Sequence, residues 1–322
     1  MLAPFEVAPV LVEKPWGGTR LSEWGKYPGR AYFGESWEIA DLAPQVAPQV
    51  EDPVSRVIDG RWRGWSLGAL AAKFGEELMG GVPLSEDGRF PLLIKFIDAR
   101  EHLSVQVHPT AAYTATHPGT HLKTESWYVV DADPGSKLFL DVDASIPHDR
   151  ISADLDGVTV VPLLRSVPAE AGAFHHIPAG MIHALGAGVM VAEIQTPSDT
   201  TFRLYDWSGE YDREPRVLHA DEARETIIPV HPDAFDLPPM RRGTRRELIR
   251  TSHYWIDEHR GDREVALSDA PGFRVLMCVD GSARAGSIEM TQGSTVVVPA
   301  CAVDTAIVLD GTLLEVGMPV PS

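Results

Sequence analysis

The sequence predicts a mainly β protein, on three observations. The chain has 322 residues, long enough to bury roughly three quarters of its unfolded surface without support from disulfides. Most of it divides into short segments rich in Val, Ile, Leu and aromatic residues. Gly, Pro or Asp separates these segments, a spacing typical of all-β domains. One longer stretch, residues 66–79, instead carries apolar side chains at helical spacing.

Eight segments are predicted as strands because β-branched and other apolar residues dominate each of them. They cover residues 36–40, 91–98, 102–108, 125–130, 137–140, 158–164, 189–195 and 202–205. Helices are predicted over 66–79, 110–116 and 220–226. Ser66 can cap the first of these helices and Gly80 can end it. We therefore expect a β fold with a small helical insertion near residues 60–80.

Two units are predicted along the chain. Four prolines between residues 229 and 239 indicate a stiff connection, so the first unit should span 1–230 and the second 245–322. A Gly and a Pro in residues 172–183 recur at the same offsets in residues 293–304. The second copy ends in Asp304 where the first ends in His183. We therefore expect related β units with chemistry in the first only, and the second unit packed against it to complete a wall of the cleft.

The charge balance argues against some classes of partner. Lys and Arg number 28 against 46 Asp and Glu, a net charge of −18, which repels nucleic acid and acidic membrane surfaces. Five arginines within residues 241–250 form a basic cluster, interpreted as a solvated or salt-bridging face rather than an anion site. Cys278 and Cys301 are the only cysteines. That number fits a reducing compartment, and no signal-peptide pattern is found. A cytoplasmic protein is expected, with its oligomeric state open.

Four side chains form a candidate metal site. Gln106 and His108 share one face of a predicted strand because side chains alternate along it. Glu125 begins the next predicted strand, and His183 follows a tight Pro-Ala-Gly turn. Two imidazoles, one carboxylate and an amide oxygen suit a divalent metal such as zinc and leave a coordination position open. An open position indicates catalysis rather than structural bracing.

Spacing alone leaves other interpretations of these histidines open. The chain has 12 His, and any one of them is more often exposed or hydrogen-bonded than a ligand. His175 and His176 compete for the site, but on a strand they point to opposite faces, so at most one can join it. His117 and His121 fall in a loop where exposure is expected.

Seven motifs strengthen this prediction. They are Lys14-Pro-Trp-Gly-Gly, Gly34-Glu-Ser-Trp-Glu-Ile-Ala, Pro91-Leu-Leu-Ile-Lys-Phe-Ile-Asp-Ala, Gln106-Val-His-Pro, Lys123-Thr-Glu-Ser-Trp-Tyr, Ile177-Pro-Ala-Gly-x-x-His-Ala and Glu193-Ile-Gln-x-x-Ser-Asp-Thr-Thr-Phe-Arg-Leu-Tyr-Asp-Trp. In sequence and order they resemble the short bacterial form of the type I mannose-6-phosphate isomerases. The resemblance implies a cupin fold, a jelly-roll β-barrel with a degenerate cupin-like second domain. It also implies one zinc ion and interconversion of mannose 6-phosphate and fructose 6-phosphate.

The resemblance also assigns roles to individual residues. It implies that His108, Glu125 and His183 are the metal ligands, that Gln106 is a further ligand, and that Arg203 is the active-site arginine. An aldose-ketose isomerase moves a proton between carbons 1 and 2 through an enediolate. A Lewis-acidic metal and a guanidinium both stabilise its negative oxygen.

For several other side chains the sequence allows more than one role. Arg203 can instead form a salt bridge to Asp206 or Asp199. Lys95 and Lys123 are predicted to hold the substrate phosphate, or are ordinary lysines at strand ends. The proton carrier is left among four candidates, which are Glu193, Lys123, a site histidine and a metal-bound water.

Two other functions are kept as alternatives. One is another metal-dependent, sugar-modifying cupin, such as an isomerase of unphosphorylated mannose or an oxygenase. The other is a sugar-sensing cupin without turnover. The combination of metal ligands with Arg203 argues against the second, because a module that only binds has no evident need for a Lewis acid beside a guanidinium.

Overall fold

Three antiparallel β-sheets make up most of the chain. The computed structural model describes residues 2–27, 32–143, 146, 157–228 and 244–321. Its strands are β1 (Phe5–Ala8), β2 (Val10–Val12), β3 (Glu35–Ile39), β4 (Arg56–Val57), β5 (Leu93–Ala99), β6 (Val105–Val107), β7 (Glu125–Ala132), β8 (Lys137–Val142), β9 (Leu164–Pro168), β10 (Phe174–Ile177), β11 (His183–Leu185), β12 (Val189–Gln195), β13 (Phe202–Tyr205), β14 (Thr244–Arg250), β15 (Trp255–Val265), β16 (Arg274–Ala285), β17 (Ile288–Thr291), β18 (Thr295–Val298) and β19 (Ile307–Gly317).

The helices are short and lie between the strands. The α-helices are α1 (Arg20–Glu23), α2 (Leu67–Phe74), α3 (Glu76–Met79), α4 (Ala111–Thr114) and α5 (Ala220–Thr226), and 3-10 helices cover Gly60–Trp62, Gly157–Leu163 and Ala300–Ala302. No helix in the described ranges is long and apolar enough to cross a membrane.

Two of the sheets pack face to face. One has the strand order β10-β7-β12-β5-β3-β2 and the other β13-β6-β11-β8-β9. Ile97, Val129 and Val191 from the first and Leu138 and Leu140 from the second share one buried core. The predicted mainly β, jelly-roll architecture is confirmed, and its two sheets remain separate instead of closing into a barrel.

The six-stranded sheet is covered on its other face as well. Phe96 and Ala192 point away from the first core and pack with Ile256 and Met277 of the C-terminal strands. Strands β5 and β12 are consequently buried along their whole length. Burial on both faces explains why these two segments are nearly continuous hydrophobic runs in the sequence.

The third sheet joins both ends of the chain. Its strand order is β14-β15-β19-β16-β18-β1-β4, with β17 paired to β16. Phe5 of β1 lies opposite Val297 of β18, so the N-terminal strand belongs to the C-terminal sheet. A division of the chain near residue 230 stays a prediction, and the prolines of 229–239 lie outside the described residues.

The basic segment at the start of this sheet pairs with acidic side chains. Arg245 and Arg250 contact Asp257 at 3.3 and 2.6 Å, and Arg246 contacts Glu258. For these three arginines the salt-bridging interpretation is confirmed. Arg241 and Arg242 of the same cluster lie outside the described residues.

The two copies of the internal repeat differ at the turn and at the position of the candidate ligand His183. Gly172 and Gly293 begin the two copies with φ of 85° and 88°, and both lead into buried strands. Gly180 turns the first copy at φ 87°, whereas the matching Cys301 lies in a 3-10 helix. Asp304, the counterpart of His183, is exposed. Both cysteines are free.

Two predicted elements need correction. The segment predicted as a strand over 158–164 is mostly the 3-10 helix Gly157–Leu163, which contains Pro162. Proline has no N–H to donate to a strand ladder. The helix predicted over 66–79 divides at Gly75, where φ is 42°. Ser66 caps its first half as predicted, because Ser66 Oγ accepts a hydrogen bond from Ala69 N at 3.1 Å.

Candidate active site

A cavity of about 450 Å³ lies between the two sheets of the jelly roll, within the size range of small-molecule sites. Charged side chains dominate its wall. They are Lys14, Lys95, Lys123, Arg203, Arg216, Glu13, Glu35, Glu193 and Asp199. Within the described part of the chain no lining residue comes from 244–321. The expectation that the second unit completes a wall of the cleft is therefore not supported.

Three of the four predicted ligands meet next to this cavity; none of them lines it, but they contact its lining residues Gln106 and Lys123. His108 Nε2 lies 3.2 Å from Glu125 Oε2, and His183 Nε2 lies 3.3 Å from Glu125 Oε1. Their donor atoms all lie within 4.8 Å of one another. His108 follows the end of β6, Glu125 begins β7 and His183 begins β11. The fold thus gathers three chain-distant residues into one cluster.

Backbone carbonyl groups fix the orientation of both imidazoles. His108 Nδ1 lies 3.1 Å from Thr200 O, and His183 Nδ1 lies 2.9 Å from Met181 O. A carbonyl can only accept, so each Nδ1 carries the proton and each Nε2 directs its lone pair at the cluster. This is the usual outer-shell arrangement of a metal-binding histidine.

The protonation states of His108 and Glu125 match the forms in which these side chains bind a metal. Burial, followed by the charge of the nearby Lys123, lowers the pKa of His108 to about 3. Burial alone would raise the pKa of Glu125, but Lys123 and His108 outweigh burial and hold that pKa well below its usual value. Neutral imidazoles and an ionised carboxylate are the forms that bind a metal.

The polar atoms of this cluster fit a divalent cation. His108 Nε2 and both carboxylate oxygens of Glu125 are buried and have no hydrogen-bond partner. Unpaired buried polar atoms are rare because each costs about 1–3 kcal/mol. Two imidazole nitrogens and one carboxylate are also a common set of protein ligands for zinc. These residues therefore suit the predicted metal.

Gln106 and Lys123 connect the cluster to the cavity. Gln106 lies directly opposite His183 in the sheet, with Nε2 of its amide 3.2 Å from His183 Nε2. Turning this amide by 180° would direct Oε1 at the cluster. Lys123 Nζ lies 3.1 Å from Glu125 Oε2. The three ligands are almost fully buried, and both Gln106 and Lys123 line the cavity above them.

Lys95 occupies the opposite wall among carboxylates. Its Nζ lies 3.3 Å from Glu35, 3.3 Å from Glu193 and 3.7 Å from Asp199. Burial alone would lower the pKa of Lys95, but these three carboxylates outweigh it and raise the pKa. Lys95 is thus a fully charged ammonium with anionic partners already in place.

Glu193 lies beside Lys95 and above the cluster. Burial raises the pKa of Glu193, and the charge of Glu125 raises it further. Trp127 Nε1 donates to Glu193 Oε2 at 2.9 Å, whereas Oε1 has no hydrogen-bond partner. A carboxylate with a raised pKa at a cavity wall is a stronger base than an ordinary carboxylate and is a candidate for proton transfer.

Arg203 lies two strands away from the cluster in the same row of side chains. It stands opposite Gln106, which in turn stands opposite His183. Its Nη1 donates to Val217 O at 2.9 Å. Its Nε lies 3.9 Å from Asp206, so the salt bridge weighed as an alternative is present at long distance.

Five charged lining residues were not predicted as site residues from the sequence; they are Glu13, Lys14, Glu35, Asp199 and Arg216. Lys14, Glu35 and Asp199 belong to motifs that were recognised, so those motifs could have nominated them. Arg216 lies in the loop after β13, outside every motif. Its place is set by a contact with Asp206 that sequence spacing does not reveal.

The competing histidines lie elsewhere. His176 Nδ1 is 3.0 Å from Ser126 Oγ on the outer face of the six-stranded sheet. His175 on β10 lies opposite Trp127 of β7, and it is not part of the metal cluster. Of the motif tryptophans, Trp37 is fully buried in the core, whereas Trp16 and Trp127 also line the cavity.

Comparison with known proteins gives a consistent picture. The family profile of the phosphomannose isomerase type I catalytic domain matches residues 6–136. A mannose-6-phosphate isomerase of Streptococcus mutans is 36% identical over 233 residues, which are 70% of this chain and 68% of that protein. A probable mannose-6-phosphate isomerase of Bacillus subtilis is 34% identical over 258 residues, covering 77% of this chain and 76% of that protein. The crystal structure of the mannose 6-phosphate isomerase from Bacillus subtilis matches with a TM-score of 0.84 at 27% identity, over 98% of this chain and 100% of that one.

Proposed function

The chain belongs to the type I mannose-6-phosphate isomerase family, and we propose that it interconverts mannose 6-phosphate and fructose 6-phosphate with a divalent metal held by His108, Glu125 and His183. The observation that carries this proposal is the convergence of the three buried donor groups beneath a charged cavity. Family membership supplies the reaction, and the geometry supports the residues.

We propose zinc as the metal and Gln106 as a fourth ligand. The donor set supports zinc because imidazole and carboxylate are its frequent ligands. Gln106 supports the assignment by its place opposite His183, after rotation of its amide. When bound, such a cation supplies Lewis-acid stabilisation of negative charge on the sugar oxygens.

Arg203 is proposed as the second source of positive charge for an enediolate. It lines the cavity one strand away from Gln106. Its guanidinium is permanently charged and offers donors in a fixed fork. Hydrogen bonds from this fork would hold the hexose oxygens toward the metal end of the cavity.

Glu193 and Lys123 are the proposed groups for substrate binding and proton transfer near carbons 1 and 2. Both line the cavity above the cluster. The raised pKa of Glu193 makes it a stronger base than an ordinary carboxylate, which supports a role in proton transfer. Lys95, between Glu193 and Glu35, is proposed to hold these carboxylates in place at the substrate.

The organisation and location of the protein are part of the same proposal. We assign catalysis to residues 1–230 and a degenerate cupin-like fold to residues 245–322, with β1 crossing into the sheet of the second unit. Two free cysteines support a place in the cytoplasm, where thiols stay reduced.

The decisive experiment is a coupled assay with mannose 6-phosphate on chelator-treated protein, with zinc, manganese, cobalt and iron added back separately. We expect turnover to vanish on chelation and to return with at least one metal. Activity that survives complete metal removal would overturn the mechanism.

Substitution of one ligand tests the site itself. His183→Ala should lower bound metal and reduce kcat/KM by at least about 100-fold, because even outer-shell partners of a metal are worth 10- to 100-fold. His117→Ala is the matched control, since His117 stacks on Tyr113 in a surface loop. A His183→Ala protein with full metal content and activity would contradict the ligand assignment.

A further inference from the structure

Two arginines at one end of the cavity share a single carboxylate. Arg216 Nε donates to Asp206 Oδ1 at 2.6 Å, and its backbone N–H donates to Asp206 Oδ2 at 3.1 Å. Arg203 Nε lies 3.9 Å from the same Oδ1. Asp206 is almost fully buried, and both guanidinium groups line the cavity. Two guanidinium groups therefore share one contacting carboxylate at this end, and Asp199 is a further acidic group whose charge acts on Arg203.

The loop after β13 holds both guanidinium groups in place. His219 N donates to Arg203 O at 2.8 Å, and Arg203 N donates to His219 Nδ1 at 3.2 Å. The Arg203 side chain is fixed by Val217 O, and that of Arg216 by Asp206. The loop thus folds back on the strand and positions the two cations before any ligand arrives, which lowers the cost of binding.

The two arginines disfavour each other in the absence of an anion. Burial, followed by the charge of Arg216, lowers the pKa of Arg203 to about 10. Arg203 Nε is buried without a hydrogen-bond partner. A multiply charged anion between the guanidinium groups would relieve the repulsion and accept the unused N–H groups.

The lysines at the opposite wall of the cavity contact more carboxylates than the two arginines do. Lys95 contacts Glu35, Glu193 and Asp199, and Lys14 contacts Glu35 at 3.2 Å. The carboxylates at that wall match or exceed the ammonium groups in number. A phosphate dianion placed there would meet carboxylates at short distance, so the charge distribution directs it to the arginine end.

We propose that Arg216 binds the phosphate group of the substrate, an inference that rests on the proposed isomerase function. Gln106 adjoins the metal cluster, Arg203 lies beside Gln106, and Arg216 contacts the Asp206 carboxylate that Arg203 Nε approaches. The Arg216 side chain is also the more exposed of the two arginines, at 29% against 17%. A hexose phosphate can then place carbons 1 and 2 at the metal and its phosphate at Arg216. Arg216 becomes the residue that distinguishes mannose 6-phosphate from mannose.

Arg216→Gln tests this assignment. We expect KM for mannose 6-phosphate to rise by about 10- to 100-fold, because a hydrogen bond to a charged group is worth about 1.5–3 kcal/mol, with a much smaller change in kcat. Competitive inhibition by inorganic phosphate should weaken by a similar factor. The preference for mannose 6-phosphate over mannose, measured as a ratio of kcat/KM, should fall accordingly. Arg216→Lys keeps the charge and should recover part of the loss.

Arg224→Gln is the matched control, because Arg224 lies on the surface of α5, pairs with Asp221 at 2.8 Å and does not line the cavity. It should keep the KM and the phosphate inhibition of the native enzyme. If Arg216→Gln does not fold, Arg216→Lys carries the test with an expected several-fold rise in KM.

The outcomes separate this inference from the proposed function. An unchanged inhibition constant for phosphate in the Arg216 variants, with isomerase activity intact, would overturn the phosphate assignment alone. A native protein that binds inorganic phosphate through Arg216 but isomerises no hexose phosphate would overturn the proposed function and leave the anion site standing.

Discussion

At the scale of single residues, Glu125 shows how burial and charge oppose each other at the site. A carboxylate without solvent is costly to ionise. Lys123, whose Nζ lies 3.1 Å from Glu125 Oε2, supplies the compensation here. The same carboxylate oxygens lack hydrogen bonds. The cluster is therefore polar enough to stay charged and open enough to accept a cation.

The burial of His175 predicts how the stability of the fold depends on pH. Burial, followed by the charge of Arg165, lowers the pKa of His175 to about 4. An unfolded histidine gains its proton near pH 6.5. Between about pH 6.5 and 4, the unfolded chain therefore binds a proton at His175 that the folded chain does not bind. The contribution of His175 to stability is therefore intact above about pH 6.5 and lost as pH falls from 6.5 toward 4.

His175→Gln should remove this loss. Urea unfolding of the chelated proteins should show a free energy of unfolding that declines less in the variant between pH 6.5 and 4, by up to about 3 kcal/mol. Above pH 7.5 the difference between the two proteins should stay constant, which is the internal control. Parallel curves over the whole range would contradict the prediction.

The site residues differ in how far the sequence could reveal them. His108, Glu125 and His183 stand at strand ends or after a Gly turn, where alternation and turn chemistry predict their direction. Arg216 gives no such signal, because its position depends on an ion pair with Asp206 ten residues away in an irregular loop. Ion pairs of this kind follow from packing and not from a repeat in the sequence.

At the scale of elements, the turn between β10 and β11 connects two of the proposed ligands. Gly180 has φ of 87°, which suits glycine because other residues are strained there. Its N–H donates to His108 O at 3.0 Å, and His183 follows three residues later. This turn therefore fixes the backbone of His108 and sets the direction of His183.

Gly180→Ala should therefore damage both stability and metal binding. The added Cβ would meet Thr110 Cγ2 and Thr226 O at 3.0 Å, in addition to about 1–2 kcal/mol for the left-handed conformation. Gly119→Ala is the matched control, because Gly119 has φ of 88° and open space around it. Both variants should unfold at lower urea concentration. Only Gly180→Ala should also bind zinc several-fold more weakly, as measured by competition with a chelator, and equal affinities would contradict the prediction.

Sequence patterns predicted some elements better than others. Strands β12 and β13 and helix α5 match their predicted bounds. The 3-10 helix Gly157–Leu163 has the composition of a strand, and only its Pro162 argues otherwise. The pairing of β1 with β18 could not be predicted, since nearly the whole chain separates them and no local pattern specifies a partner so distant.

At the scale of the whole molecule, β7 links the metal site to the C-terminal sheet. Glu125 and Trp127 face the cavity side of this strand. Ser126 and Tyr128 face the other way, because side chains alternate. Ser126 Oγ lies 2.9 Å from Tyr254 OH, and the hydroxyl of Tyr128 donates to Glu258 at 2.9 Å. The C-terminal unit thus contacts the strand that carries a proposed ligand without lining the cavity.

The variant Tyr254→Phe tests whether the hydrogen bond between Tyr254 and Ser126 contributes to zinc affinity. Ser126 keeps its partner His176 at 3.0 Å in the variant, so the free energy of unfolding should fall by only about 0.5–1.5 kcal/mol, the usual value of one hydrogen bond. Because Ser126 is the immediate neighbour of Glu125, zinc affinity should also fall several-fold. Tyr128→Phe removes a hydroxyl from the same strand three residues beyond Glu125, and it should lose similar stability while keeping the native zinc affinity. If chelator competition gives both variants the native affinity, the C-terminal unit stabilises the fold without holding the ligand, and the link across β7 has no role in metal binding.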